Sequence, residues 1–322
     1  MPSTVLVPTM GASLVGVFVS TFLYGITTLQ TYFYVENYWS KDSRGLRYTV
    51  ALLWLLETAH TALACTFIFR MLILNFGDTE ALLFTTVSDD VTHGVLGATI
   101  FVVHCFYVWR LWIFTRNIFL AGLVFLLALG HLVFEIVVMA ILFEFPAFSE
   151  FHRATPFFTT AMTMAVAADI IIAVAMATNL KSKQQRVKET NSLLNKLIAY
   201  IVSTGLLTSV VDIIILATFL GMPDNLVYLC FLNFINNFYA NSMLAMLNAR
   251  RSLRNGIEKD VDLQLSLDSM HAARGERSES HFHSRSLVSG GVGTSRIILK
   301  TDRGMDNDTE IEITKTVETH MV

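Results

Sequence analysis

Seven predominantly apolar blocks, at about 10–35, 47–72, 91–113, 117–143, 157–180, 197–221 and 226–248, alternate with short polar connections. Crossing a hydrocarbon core of about 30 Å takes roughly 20 apolar residues at 1.5 Å each, and each block is long enough. The pattern predicts an all-α fold, a seven-transmembrane helix bundle over 10–254, preceded by a short extracellular N-terminus at 1–9. All five prolines lie at or beyond block ends, and Gly221-Met222-Pro223-Asp224-Asn225 reads as a tight turn. From 255 to 322 the character changes. Ser278, Ser280, Ser284, Ser286 and Ser289 stand among Gly, Arg and His, with no apolar periodicity before Ile297, which predicts a disordered cytoplasmic tail. Residues 310–317 alternate like a strand, but one strand without a partner is marginal.

Charge orients the bundle. Lys181, Lys183, Arg186, Lys188 and Lys196 form the strongly basic run between two apolar blocks, and short basic loops are retained on the cytoplasmic side. By alternation the N-terminus is outside and the C-terminus cytoplasmic. The other connections agree: Lys41, Arg44, Arg47, Arg110, Arg116, Arg250, Arg251 and Arg254 fall inside, whereas the outer side has Arg70 and Arg153. The aromatic group Tyr32, Phe33, Tyr34, Tyr38 and Trp39 suits the headgroup level at the end of the first span.

Composition narrows the class. With 53% hydrophobic and 15% charged residues and a mean hydropathy of +0.55, the chain is too apolar for a soluble protein. The acids collect in the tail, and no basic surface suggests nucleic acid. Cys65, Cys105 and Cys230 all lie in apolar blocks, as buried free thiols rather than a disulfide framework. The first block is long enough to remain as a span, and Met1–Met10 has no basic residue to open a cleavable signal.

The candidate chemistry is what does not belong in lipid. Glu57, Glu135, Asp169 and Asp212 sit near the middle of their spans without a Lys or Arg at similar depth. Each costs roughly 2.5–3.5 kcal/mol on insertion scales and so marks an internal polar contact or a function. Glu57 lies about 16 Å inward from Leu46 at 1.5 Å per residue. Glu57 and His60 are three apart and His131 and Glu135 four apart, so each pair shares a helix face. The neutraliser is then histidine, a proton, a bound cation or an amine ligand. Taken singly, each buried acid reads as an interhelical hydrogen bond; taken together, Glu57, His60, His131, Glu135, Asp169, Asp212 and Asn237 form a candidate ligand or ion cavity. Asn233, Asn236, Asn237 and Asn241 make a stripe along the seventh span, which also reads as interhelical glue. Spacing gives no metal set for His60, His104 and His131, and no cofactor is called for. The small-residue spacing Ala161, Ala165, Ala168 permits close helix approach.

Known heptahelical signatures are missing. The seventh span has no Lys for a retinal Schiff base and no Pro, and Trp109-Arg110-Leu111 has no acid before the Arg. Spans without internal Pro also weaken a broken-helix transporter. A resemblance is carried by Gly11, Gly16, Tyr24-Gly25 and Gln30 in the first span, and by Trp54 through Glu57 to His60 in the second. Asn195-Lys196, Tyr200 and Thr204-Gly205 to Thr208 carry it in the sixth, and Tyr239, Asn241-Ser242 and Leu247-Asn248 to Arg250 in the seventh. Over roughly 10–250 the chain resembles an uncharacterised multipass membrane family of mushroom-forming fungi, a domain of unknown function. The resemblance implies seven spans and assigns no activity.

The expectation is therefore an integral, multi-pass protein of the plasma membrane, receptor-like or sensory, with a small-ligand cavity in the bundle. The alternative is a proton- or cation-coupled transporter using Glu57, Asp169 and Asp212. An intramembrane hydrolase ranks third, without a nucleophile or metal set, so no enzyme is expected. The implied partners are the lipid bilayer, a small ligand or ion, and a cytoplasmic partner at Lys181–Lys196 and the tail.

Overall fold

A computed structural model describes residues 10–78, 80–184, 192–222, 226–250, 294–299 and 311–316, with side chains outside 82, 180–204 and the two strands. The chain divides into two compact units, Met1–Asp260 and Val261–Val322. The described residues of the first unit are helical apart from short connections. Its described residues form α1 (Ala12–Tyr38), α2 (Arg44–Phe69, continued by a π-helical turn at Arg70–Leu74), α3 (Val87–Thr115), α4 (Ile118–Glu144), α5 (Thr155–Gln184) and α6 (Ser192–Gly221). They close with α7, residues 227–250.

Five of these helices are long and apolar enough to cross a membrane: Ala12–Tyr38, Arg44–Leu74, Val87–Thr115, Ile118–Glu144 and Thr155–Asn179; Gly205–Gly221 is a shorter apolar helix. α7 falls below that mark because its asparagines interrupt the apolar run, yet Asn233, Asn236 and Asn237 are all buried. Their amides face neighbouring helices rather than the surface.

Helix ends follow local chemistry. Thr86 caps α3 by accepting from the Asp89 backbone N–H at 3.3 Å, and Asp89 and Asp90 sit in the first turn, where the helix dipole favours negative charge. α3 stops at Arg116, whose φ of 56° is left-handed. Asn117 then caps α4, accepting from the Phe119 and Leu120 N–H groups at 3.1 and 3.2 Å. Two residues thus turn the chain between antiparallel helices. At the opposite end the Thr85 N–H donates to the Pro146 carbonyl at 2.7 Å, tying the α2–α3 connection to the α4–α5 connection.

α3 packs against α2, α4 and α5, while α7 reaches α1, α2, α5 and α6 through side-chain bonds. The core runs between them through Leu96, Ile100, Val103, Leu111, Met162, Met176, Ile215, Tyr239, Met243 and Leu247. Ala161, Ala165 and Ala168 are fully buried on α5, as their small-residue spacing implies. Outward, Phe18, Phe22, Leu55, Phe119 and Leu126 are more than half exposed, an apolar girdle that a bilayer would cover. Cys65 is exposed on that surface, and Cys105 and Cys230 are half-buried; all three are free. The expectation of three buried thiols fails for Cys65, which lies on the outward face of α2.

The basic connection is shorter than the sequence suggests, because α5 continues to Gln184 and α6 begins at Ser192. Residues 185–191, the heart of the expected cytoplasmic docking run, lie outside the described residues, as do 1–9. Most of the 255–322 stretch, expected to be disordered, also lies outside them. In the second unit, however, Ile311–Thr316 does have a partner: it pairs antiparallel with Thr294–Leu299, Ile297 opposite Ile313. The alternating segment and the apolar triplet at Ile297 are the two halves of one ladder.

Candidate functional site

Four helices converge on the Asp169 carboxylate of α5. His104 of α3 approaches Oδ1 through Nε2 at 3.0 Å. Thr208 of α6 donates to Oδ2 in a short hydrogen bond. The Tyr239 hydroxyl of α7 stands 3.0 Å from the same oxygen and 2.7 Å from Asp212 Oδ2 of α6. The His104 and Tyr239 rings meet edge-on at 5.6 Å. None of the five side chains exposes more than a few per cent of its surface. Beside them, Tyr107, Ile172, Gly205 and Ser242 complete a cleft in which a water centre can reach about 10 Å³, room for roughly one water. An organic ligand needs a cavity some tens of times larger.

A second buried group lies nearer the end at which α3 begins. His93 Nδ1 of α3 pairs with Glu135 Oε2 of α4 at 2.9 Å, and the His93 ring packs edge-on against Phe158 at 5.9 Å. Asp89, Asp90 and His60 lie within electrostatic range of His93. Among the described residues, neither ring nitrogen of His60 has a hydrogen-bond partner, nor has Glu135 Oε1. His131 bridges the two groups in position: its Nδ1 meets the Ala161 carbonyl at 3.0 Å, and it feels Glu135, His104 and Asp169.

Glu57 belongs to a third set. Its two oxygens accept from the Asn236 and Asn237 amides at 2.6 and 2.5 Å, while Asn237 Oδ1 accepts from Ser20 at 2.7 Å. The rest of the stripe reaches α1: Asn233 donates to Ser13 Oγ at 3.2 Å, Asn241 to the Leu23 carbonyl at 3.1 Å and Asn248 to the Gln30 carbonyl at 2.8 Å. Five amides and one carboxyl thus sew α1, α2 and α7 together.

The structure therefore divides the seven candidates. Asp169 and Asp212 share one junction; Glu135 and His131 are its neighbours; His60 lies in the range of His93; Glu57 and Asn237 are bound elsewhere. Neither same-helix pair forms, since Glu135 goes to His93 rather than His131, and Glu57 goes to α7 rather than His60. No Lys or Arg forms an ion pair with these acids among the described residues, and no three His, Cys, Asp or Glu side chains there converge as metal ligands.

At the other end of the bundle, Arg250 of α7 grips Asp42 in the α1–α2 connection with two bonds of 3.1 and 2.7 Å. Tyr34 donates to Asp42 Oδ2 at 3.0 Å, and Arg250 lies over the Tyr38 ring at 4.5 Å. Partial burial raises the Asp42 pKa, but the Arg250 contacts, the Tyr34 bond and Arg47 together outweigh it and hold the carboxyl below its ordinary value.

Among the contributors that the candidate cavity did not include are His93, His104, Thr208 and Tyr239. Tyr239 carried a usable signal, because tyrosines of membrane helices collect at the interfaces and this one lies at mid-helix. The model of a family of unknown function (DUF6534) matches residues 165–252, from α5 to just past α7. That segment contains Asp169, Thr208, Asp212 and Tyr239, while His104 lies outside it. No curated protein and no solved structure matches the chain.

Proposed function

We propose that this is a seven-span protein of the plasma membrane, N-terminus outside and C-terminus in the cytoplasm, working as a receptor-like sensor. The observation that carries the reading is the Asp169 junction, where α3, α5, α6 and α7 are held by exchangeable hydrogen bonds rather than by apolar packing alone. A helix displacement of an ångström or two would trade these partners, and a junction with two alternative bonding patterns is the kind of element a stimulus can bias. A cleft with room for one water supports a relay role for the junction rather than a ligand site. A small ligand would act at the outer end of the bundle, near the α2–α3 connection, with His93 and Glu135 buried beneath it.

A second reading, a proton- or cation-coupled transporter, is supported by carboxyls whose described partners are hydroxyls, amides and histidines rather than Lys or Arg. One preparation separates the two: protein in proteoliposomes, with Lys41→Cys carrying an environment-sensitive fluorophore in a Cys65→Ser background. Under a panel of solutes, fluorophore changes without proton or solute flux support the sensor. Solute-dependent flux transfers the assignment to the transporter.

A further inference from the structure

We propose that the Asp169–Tyr239–Asp212 junction is a proton-binding site: Asp212 is carried as the neutral carboxylic acid, and its proton is shared toward an ionised Asp169 through the Tyr239 hydroxyl. The argument is a count of hydrogens. Tyr239 Oη lies 2.7 Å from Asp212 Oδ2 and 3.0 Å from Asp169 Oδ2, and both carboxyl oxygens are acceptors when ionised. A phenol has one proton. Two short contacts to two carboxylates would leave one O···O pair with no hydrogen between them, inside a site closed to bulk water. A second proton resolves this, and the neighbours say which acid holds it. Asp169 has a group able to donate at each oxygen: the His104 imidazole, in its Nε2–H tautomer, at Oδ1 and the Thr208 hydroxyl at Oδ2. Asp212 has Tyr239 alone, and its Oδ1 has no partner among the described residues. The carboxylate rich in donors stays ionised, and the isolated one is neutral.

The bond order is then directional. The Asp212 O–H donates to Tyr239 Oη, and the Tyr239 O–H donates to Asp169 Oδ2. Transfer needs no co-reactant: the acid proton moves to the phenol oxygen as the phenol proton moves to Asp169. Asp212 is left as carboxylate, Tyr239 as phenol and Asp169 as acid. The groups facing the chain from the packed elements are His104 of α3, Glu135 of α4 within electrostatic range of Asp212, and Thr208 of α6. The inference rests on the relay reading, for it names the species that the relay holds, a proton, in a cleft the size of a water.

The test is infrared spectroscopy of the full chain in lipid nanodiscs without ligand, comparing the carbonyl stretch of protonated carboxyls between wild type and variants. Asp212→Asn, whose amide can still donate to Tyr239, should fold and lose one protonated-carboxyl band. Retention of every such band in Asp212→Asn overturns the proposal. Should Asp212→Asn fail to fold, Tyr239→Phe serves: removing the acceptor must shift one protonated-carboxyl band toward the free-acid position, and a spectrum unchanged in this region refutes the assignment. Because no ligand or flux enters the measurement, an unexpected spectrum rejects the proton site while the sensor-or-transporter experiment stands, and the converse holds equally.

Discussion

A single methyl on α1 tests how tightly the first and last helices are joined. A Cβ at Gly16 would stand 2.4 Å from the Cys230 carbonyl oxygen and 2.8 Å from its Cα, whereas ordinary contact begins near 3.4 Å. The obstacle is backbone and cannot rotate aside, so Gly16→Ala must part α1 from α7 by about 1 Å. One turn to either side are the Asn233–Ser13 bond at 3.2 Å and the Ser20–Asn237 bond at 2.7 Å. An added ångström takes both beyond hydrogen-bonding distance. Interhelical hydrogen bonds in a bilayer average about 0.6 kcal/mol, and overpacking a close contact costs about 1–3 kcal/mol, so the loss should be about 2–4 kcal/mol. The bonds at Leu23 and Gln30 lie about 10 and 20 Å further along α1 at 1.5 Å per residue, and a pivoting helix keeps them. The readouts are unfolding by detergent titration and the labelling rate of Cys230, which should rise as the seam opens. Gly25→Ala is the control: nothing lies within 4 Å of its added Cβ, and exchanging Gly for Ala in a helix is neutral to favourable. Equal stability of Gly16→Ala and wild type, with unchanged Cys230 labelling, refutes the close approach.

The remaining predictions concern other contacts. Gly97→Ala brings a methyl to 2.9 Å from Glu135 Cβ and should cost about 1–3 kcal/mol in the same titration; Gly94→Ala, opposed at 2.7 Å by the flexible end of Met139, should cost less, and the reverse order would contradict the packing. Glu57→Gln turns an amide toward an amide at Asn236 or Asn237 and should lose about 1–2 kcal/mol; adding Asn237→Asp restores an acceptor and should recover part of it, as a double-mutant cycle would show. Since Asp42 is held below its ordinary pKa, its link to Arg250 contributes stability that is present above the unfolded carboxyl pKa, near 4, and lost as pH falls through the lower folded value. Asp42→Asn should abolish that acid-side slope in a melting series and cost about 1 kcal/mol at neutral pH. For orientation, a membrane-impermeant thiol reagent applied to intact cells should label Phe76→Cys, 88% exposed in the native chain, but not Lys41→Cys; the opposite result inverts the bundle.

The helices were legible because they follow from one constraint. An apolar block without internal Pro has to satisfy its backbone within itself when placed in lipid, and the helix does that; hence the blocks at 91–113 and 117–143 reappear as Val87–Thr115 and Ile118–Glu144. The burial of Glu57, Glu135, Asp169 and Asp212 was legible for the same reason, since the alternative is charge in hydrocarbon. What sequence could not supply was the partner. Spacing of three or four shows that His131 and Glu135 share a helix face, but a face is wide enough to meet two neighbours, and the two side chains go to different ones. His131 turns to α5, where Ala161 is small enough to expose its carbonyl at 3.0 Å. Glu135 turns to α3, where Gly97 lies so close that its added Cβ would sit 2.9 Å from Glu135 Cβ. That approach places His93, one turn earlier on α3, at 2.9 Å from the carboxylate. The small residues thus choose among the polar pairings that the helical period leaves open: they set which backbones come near, and the buried acids take the donors found there. A search for the partner of a buried charge in such a chain should begin one turn from the glycines and alanines of neighbouring spans, before the i+3 and i+4 positions of its own helix.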